Sequence, residues 1–249
     1  MSETLAALLL AHVLADFVFQ TGWIVANKRR PAALLLHMLI VFLTAIAALG
    51  LWVPVVQWAL PLGALALTHL VTDAIKARLG DGPGPYVADQ AVHLLTLLLI
   101  AAWRPDLWSL GHWPGLLPDP LDPWLPVAMA WSAGMILAVR AGGFAIVKLL
   151  APYRSYWVRS RVLSGGLNDA GRLIGELERG LTFVLVVAGH PTGVAFLIAA
   201  KSLLRFNATR DDRRIAEYVI IGTLASVGWS LLVAFGIQGL VSQLLPAAP

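Results

Sequence analysis

Cysteine is absent from the 249-residue chain. Its absence excludes disulfide bonds, zinc sites with cysteine ligands and iron–sulfur clusters held by cysteine thiolates. Charge is also scarce, because Asp, Glu, Lys and Arg make up only 13% of the residues, against roughly 25% in ordinary soluble domains. With 59% hydrophobic residues and a mean hydropathy of +0.78, the chain is typical of a protein that resides in a bilayer.

Two signatures of intramembrane enzymes, HExxH and GxSxG, are missing as well. The first residues, MSET, are acidic rather than basic, so we expect a retained first span and not a cleavable signal peptide. The net charge of +4 raises the question of nucleic-acid binding. The cations stand mostly at the ends of apolar runs, however, where membrane topology explains them. We therefore expect membrane lipids, and no nucleic acid, as partners.

The apolar runs predict an all-α, polytopic bundle of about eight transmembrane helices. The predicted spans are residues 3–23, 32–53, 56–78, 86–103, 124–150, 170–189, 191–206 and 215–245. They divide the chain into a four-helix repeat bundle (1–103), an external loop rich in Trp and Pro (104–123) and a C-terminal four-helix region (124–249).

The positions of the cations predict the orientation. Lys28, Arg29 and Arg30 lie between the first two spans and place that loop in the cytoplasm. Both termini are then outside the cytoplasm, and of the 18 Lys and Arg residues only Arg104 falls in a loop predicted to be external. We expect a multi-pass protein of the bacterial inner membrane.

The first half of the chain contains an internal similarity. ALLLAHVLAD resembles ALALTHLVTD, and LLLHMLIVFL resembles QAVHLLTLLL. Three polar residues in the first pair of segments return in the second pair at an almost constant offset. His12 corresponds to His69, Asp16 to Asp73, and His37 to His93. This pattern predicts a tandem hairpin repeat with a pseudo-twofold axis along the membrane normal.

At about 1.5 Å of rise per residue, these groups and Asp89 share one slab of the cytoplasmic leaflet. Because an ionised carboxylate facing lipid costs several kcal/mol, we expect the side chains to face one another. Histidine with carboxylate suits zinc, iron or manganese. The predicted ligands are His12, Asp16, His69, Asp73 and His93. His37 and Asp89 are predicted as further ligands or general base, and Gln20 and Gln90 would orient a water or substrate.

Three other interpretations of the same residues stay open. The His and Asp side chains suit packing pairs between helices, or a pathway for protons or ions. Bis-histidine haem, through His37 and His93 or His12 and His69, is a third alternative, although the neighbouring carboxylates make it less attractive.

A second polar cluster is predicted at the cytoplasmic side of the C-terminal half. Lys201 and Arg205 would hold an anionic headgroup, with Glu178 and Glu217 beside them. The alternative is an ion-pair knot of Glu178, Lys201 and Glu217 that locks three helices together. Gly175, Gly180 and Gly222 are predicted as positions of close helix packing.

The segments HVLADFVFQTGW, LLLHML, THLVTDAIK and DQAVHLL, within residues 5–103, resemble a bacterial membrane-protein family known as domain of unknown function 3307. The later segments GRLIGELERG, AAKSLLRF and EYVIIGTLAS resemble the C-terminal extension of its longer members. The resemblance implies a fold and a topology, and it supplies no catalytic assignment.

Our leading hypothesis is a metal-dependent intramembrane enzyme, a hydrolase or transferase, that acts on a lipid- or isoprenoid-type substrate at the cytoplasmic leaflet. The alternatives are a proton- or metal-ion-coupled transporter and a non-catalytic membrane assembly protein.

Overall fold

The computed structural model describes residues 1–52, 56–80, 82–116, 118, 121–159, 170–209 and 213–245, without the side chains of 153–159, 170, 204–209 and 213–215. All regular structure in these ranges is helical, as predicted. The helices are α1 (Ser2–Phe17), α2 (Gly22–Ala26), α3 (Pro31–Leu49), α4 (Val56–Leu79), α5 (Pro83–Trp103), α6 (Trp124–Ile136), a π-helical segment (Leu137–Ala141), α7 (Gly142–Arg159), α8 (Ala170–Val187), α9 (Gly193–Thr209) and α10 (Arg213–Leu244).

Among the residues that the structure describes, five segments are long and apolar enough to cross a membrane. They are Pro31–Leu49, Val56–Leu79, Pro83–Trp103, Trp124–Pro152 and Ala216–Leu244. The chain is therefore an integral membrane protein. The other three predicted spans coincide with α1, α8 and α9, which have 16, 18 and 17 residues. These helices are shorter than a typical span of about 20 residues, so the count of eight spans stays a prediction.

The chain divides into two compact units, and the first comprises Met1–Ile136 and Gly239–Pro249. Its central helix is α1, which packs against α3, α5 and α6. Leu8, Val13 and even Thr4 on α1 have no exposed surface. At about 24 Å, α1 is a buried core helix, and the apolar faces of its neighbours are left for lipid.

Local signals set the ends of the helices in this unit. Pro31 and Pro83 occupy the first turns of α3 and α5, where a missing N–H costs nothing. Gly50 ends α3 in the left-handed region with φ of 70°, which favours glycine. A Cβ there would lie 2.7 Å from Trp113, because the Trp113 indole donates to the carbonyl of Ala47 at 2.9 Å. The loop after α5 thus packs onto the end of α3.

The second unit comprises Leu137–Gln238, and a buried arginine organises it. Its π-helical segment leaves backbone carbonyls without intrahelical partners. Arg179 donates to the carbonyl of Val139 from Nε at 3.2 Å and from an Nη at 3.0 Å. Trp229 Nε1 donates to the carbonyl of Leu137 at 2.9 Å. A Cβ at Gly175 would lie 3.0 Å from the guanidinium of Arg179, one turn along the same helix. The predicted packing of Gly175 against another helix stays a prediction.

Candidate metal centre

The seven His and Asp side chains that the sequence predicts to face one another converge inside the first unit. α1 contributes His12 and Asp16, α3 contributes His37, α4 contributes His69 and Asp73, and α5 contributes Asp89 and His93. The six residues other than Asp16 are at most 6% exposed, and the side chain of Asp16 is 7% exposed. Polar groups on an apolar helix are inward-facing because lipid cannot solvate them. The predicted convergence of all seven is therefore present.

Four of these side chains form the centre of the cluster, and we call their converging atoms the quartet: Asp16 Oδ1, His37 Nε2, His69 Nε2 and Asp73 Oδ2. His37 Nε2 lies 3.1 Å from His69 Nε2. Asp16 Oδ1 is 3.2 Å from His37 Nε2 and 3.3 Å from His69 Nε2. Asp73 Oδ2 is 3.4 Å and 3.8 Å from the same two nitrogens.

These separations match a tetrahedral metal site. Zinc binds histidine nitrogen and carboxylate oxygen at about 2.0–2.2 Å, which places tetrahedral ligand atoms roughly 3.3–3.6 Å apart. Five of the six separations between the quartet atoms range from 3.1 to 3.8 Å. Three of the four residues, His37, His69 and Asp73, form a group that could hold a metal ion, and Asp16 Oδ1 lies beside both of its histidines.

Hydrogen bonding alone does not satisfy the quartet. A neutral imidazole nitrogen offers either one N–H or one lone pair. Yet His37 Nε2 faces His69 Nε2, two carboxylate oxygens, and Gln20 Nε2 at 2.9 Å. Asp16 Oδ1 is buried beside both imidazole nitrogens, and each of these can donate to one oxygen at most. The buried nitrogens and oxygens of the quartet are therefore groups that could hold a metal ion.

Two lysines, which the sequence analysis treated only as topology signals, contact the cluster. Lys28 Nζ lies 2.8 Å from both carboxylate oxygens of Asp73, and Lys76 Nζ donates to Asp89 Oδ2. The lysine side chains are 14% and 21% exposed. The positive-inside pattern explains why cations lie near these helix ends, and gives no indication that their ammonium groups reach the carboxylates. Each contact joins two different segments of the chain, so no spacing within one helix signals it.

A second layer of polar groups lies beside the quartet. Asp89 Oδ1 is 3.4 Å from His93 Nε2, and the rings of His93 and His69 stack with centroids 3.9 Å apart. Gln90 Nε2 donates to Asp89 Oδ2 at 3.1 Å and to Asp16 Oδ2 at 3.4 Å. The predicted orienting groups Gln20 and Gln90 therefore both touch the cluster.

A small cavity adjoins the histidines. His12, His69 and His93 line it on one side, and apolar side chains of α1, α3, α4 and α5 line the rest. Its volume of about 10 Å³ holds one water molecule, which leaves no space for a porphyrin between the histidine rings. The ring of His12 lies 5.9 Å from that of His69 and 5.2 Å from that of His93.

The cluster contains three overlapping groups whose ligand atoms lie within 4.8 Å of one another and could hold a metal ion. They are His12, Asp16 and His69; His37, His69 and Asp73; and Asp73, Asp89 and His93. Every predicted metal ligand belongs to at least one group. The residues predicted as base, His37 and Asp89, belong to groups as well.

The predicted headgroup site falls in the second unit. Lys201 Nζ lies 2.6 Å from Glu178 Oε2, with side chains 17% and 12% exposed. This contact is one edge of the predicted ion-pair knot, and it occupies the ammonium group that was to bind an anion. Glu217 has contacts of its own, and the side chain of Arg205 lies outside the described residues. The headgroup role stays a prediction.

The comparisons with known proteins agree with the resemblance seen in the sequence. No curated protein and no solved structure matches the chain. The model of the family described as "Protein of unknown function (DUF3307)" matches residues 4–110, and these residues include all seven cluster side chains, Lys28 and Lys76. The length of 249 residues is consistent with a longer member that carries a C-terminal extension. The match over residues 4–110 confirms the resemblance of this part of the chain to the DUF3307 family.

Proposed function

We propose that the first unit is a metal-dependent intramembrane enzyme, a hydrolase or transferase, that acts on a lipid-type substrate at the cytoplasmic leaflet. The observation that carries the proposal is the quartet, in which two imidazole nitrogens and two carboxylate oxygens from three helices lie at tetrahedral ligand distances.

The charge of the cluster supports a divalent cation. Its three carboxylates, Asp16, Asp73 and Asp89, face two ammonium groups, Lys28 and Lys76. With neutral histidines the cluster has a net charge of −1 while both ammonium groups are in place. Once a cation at the quartet displaces Lys28 from Asp73, the three carboxylates and Lys76 leave a charge of −2, which neutralises one divalent ion. Mixed nitrogen and oxygen ligands without sulfur suit zinc, iron or manganese.

The groups around the quartet fit the requirements of hydrolysis or group transfer. A divalent ion supplies an acidified water or polarises a carbonyl or phosphoryl oxygen. Asp89 and His93 lie within the same cluster as proton acceptors, and Gln20 is placed to orient a polar group beside His37. The burial of the cluster inside an apolar bundle favours a substrate that enters from the bilayer.

Metal analysis and lipid turnover test the proposal together. The protein is purified in detergent without chelator, its metal content is measured, and its action on extracted bacterial lipids is followed by mass spectrometry. We expect bound zinc, iron or manganese, and product formation that chelator abolishes and metal restores. The double variant H69A/D73A should lose both, while H112A, which changes a histidine of the external loop, should lose neither. Protein free of all three metals under these conditions would refute the proposal.

A metal-ion-coupled transporter is the second candidate, and the lysine contacts favour it. An ammonium group that takes the place of a cation on Asp73 or Asp89 suits a site that must release its ion. Uptake of Mn²⁺ or Zn²⁺ into proteoliposomes that disappears with D16N, without lipid turnover, would establish this function instead.

A further inference from the structure

We infer that the cluster binds two divalent cations side by side, with Asp73 as their shared ligand. The first position is the quartet, and the second, which we call the Asp89 position, is formed by Asp73, Asp89 and His93. The inference rests on the proposed function and extends it from one ion to a two-ion site.

Unpaired ligand atoms mark the second position. Asp89 Oδ1 and His93 Nε2 are both buried and both lack a hydrogen-bond partner, although they lie only 3.4 Å apart. Their residues are 4% and 2% exposed, so water does not solvate them from outside. A proton on His93 Nε2 would join the two atoms as a histidine–carboxylate pair, whereas a cation between them would use both atoms as ligands.

The two positions are close enough to act together. The rings of His69, a quartet member, and His93 stack with centroids 3.9 Å apart and an angle of 15° between their planes. Asp73 belongs both to the group with His37 and His69 and to the group with Asp89 and His93. Paired catalytic metal ions are typically about 3.5–4 Å apart, which is the separation that two stacked imidazoles would impose on their ions.

The ammonium groups of the two lysines bind carboxylate oxygens that the two ions would use as ligands. Lys28 bonds both oxygens of Asp73, and Lys76 bonds Asp89, so each ammonium group occupies carboxylate oxygens of one position. Two divalent ions and both ammonium groups would leave three excess positive charges in a buried space. Since both lysines are partly exposed and have long flexible side chains, we infer that they withdraw towards water as the ions bind.

The ligand set indicates which ions these are. Three carboxylates and up to four imidazoles form a hard-to-borderline site without sulfur, which suits Mn²⁺, Fe²⁺ or Zn²⁺. A soft ion such as Cu⁺ has no thiolate ligand here, since the chain contains no cysteine.

The number of ions bound tests the inference, with Mn²⁺ as the probe. The detergent-purified, chelator-stripped protein is dialysed against Mn²⁺, its manganese content is measured, and its low-temperature electron paramagnetic resonance spectrum is recorded. We expect two ions per chain and the spectrum of a coupled pair. One ion per chain with an isolated six-line spectrum would overturn the two-ion site and leave the proposed function standing. A protein that binds no Mn²⁺, Fe²⁺ or Zn²⁺ would overturn both.

Variants identify the position of each ion. D89N should bind one Mn²⁺ and show the isolated spectrum, because the quartet remains complete. H112A is the matched control and should bind two. K76M should bind two ions, with the second bound more tightly than in the unmodified chain. Two coupled ions in D89N would overturn the assignment of Asp89. If D89N does not fold, the count in the unmodified chain still decides between one and two ions.

Discussion

Replacing Lys28 with methionine should change stability and metal affinity in opposite directions. In the metal-free protein the Lys28 ammonium lies 2.8 Å from both oxygens of Asp73, a carboxylate with only 2% of its side chain exposed. Breaking a buried ion pair by removing one partner costs about 3–5 kcal/mol. Because the Lys28 side chain is 14% exposed and retains some solvent screening, we expect K28M to destabilise the metal-free protein by about 2–3 kcal/mol.

The energy of the Lys28–Asp73 ion pair also opposes metal binding. A cation at the quartet uses Asp73 Oδ2, which Lys28 occupies in the unmodified chain, so the competing ion pair must be broken. In K28M no such pair exists, and the 2–3 kcal/mol becomes a gain in affinity of about 30- to 140-fold. Competition with a fluorescent chelator measures this affinity, and unfolding in mixed micelles, followed by tryptophan fluorescence, measures the stability.

K201M is the matched control. Lys201 and Glu178 form a pair in the second unit with a similar side-chain exposure of 17% and 12%. K201M should destabilise the protein by a comparable amount and leave metal affinity unchanged. Weaker metal binding by K28M, or equal tightening by K28M and K201M, would refute the view that Lys28 competes for Asp73.

Three further predictions follow from the fold. G50A should lower the free energy of unfolding by about 1–3 kcal/mol in thermal melts, since Gly50 has a φ of 70° and a Cβ there would lie 2.7 Å from Trp113. The control is G63A in α4, where nothing lies within 4 Å of the added Cβ, and it should be neutral or slightly stabilising in the same melts. R179M should cost about 1–3 kcal/mol because the carbonyl of Val139 loses its donor, and no loss in unfolding assays would contradict that role. Metal at a thousand times its Kd should raise the free energy of unfolding by about 4 kcal/mol. The double variant H69A/D73A should show no such gain when unfolding is followed while a chelator removes the metal.

Most of the candidate site was predictable because its residues are costly in a bilayer. A histidine or aspartate in an apolar helix must face inward and find partners, so the spacing of His12 and Asp16 on α1 already fixes their common face. The same reasoning holds for His69 and Asp73 on α4. Proline and glycine signals also located the ends of α3 and α5 well, because they act within a few residues of themselves.

The parts that were not predictable depend on distances between helices. Lys28 looked like a topology signal, and only the packing of the α2–α3 connection against α4 brings its ammonium group to Asp73. Arg179 lay within a predicted span as one of several charges. Its role depends on the π-helical segment, which has no pattern in the sequence that we recognised.

The predicted repeat separates what the sequence determines from what tertiary structure determines. The sequence by itself determined that the chain is an apolar helical membrane protein and that seven His and Asp side chains share one depth, because composition and helical periodicity fix burial and facing. Its two similar halves pair His12 with His69 and His37 with His93. The quartet, however, combines His37 with His69, one from each of those pairs. Only the tertiary structure decided this choice, since the approach of one helix to another selects which inward-facing atoms reach a common point.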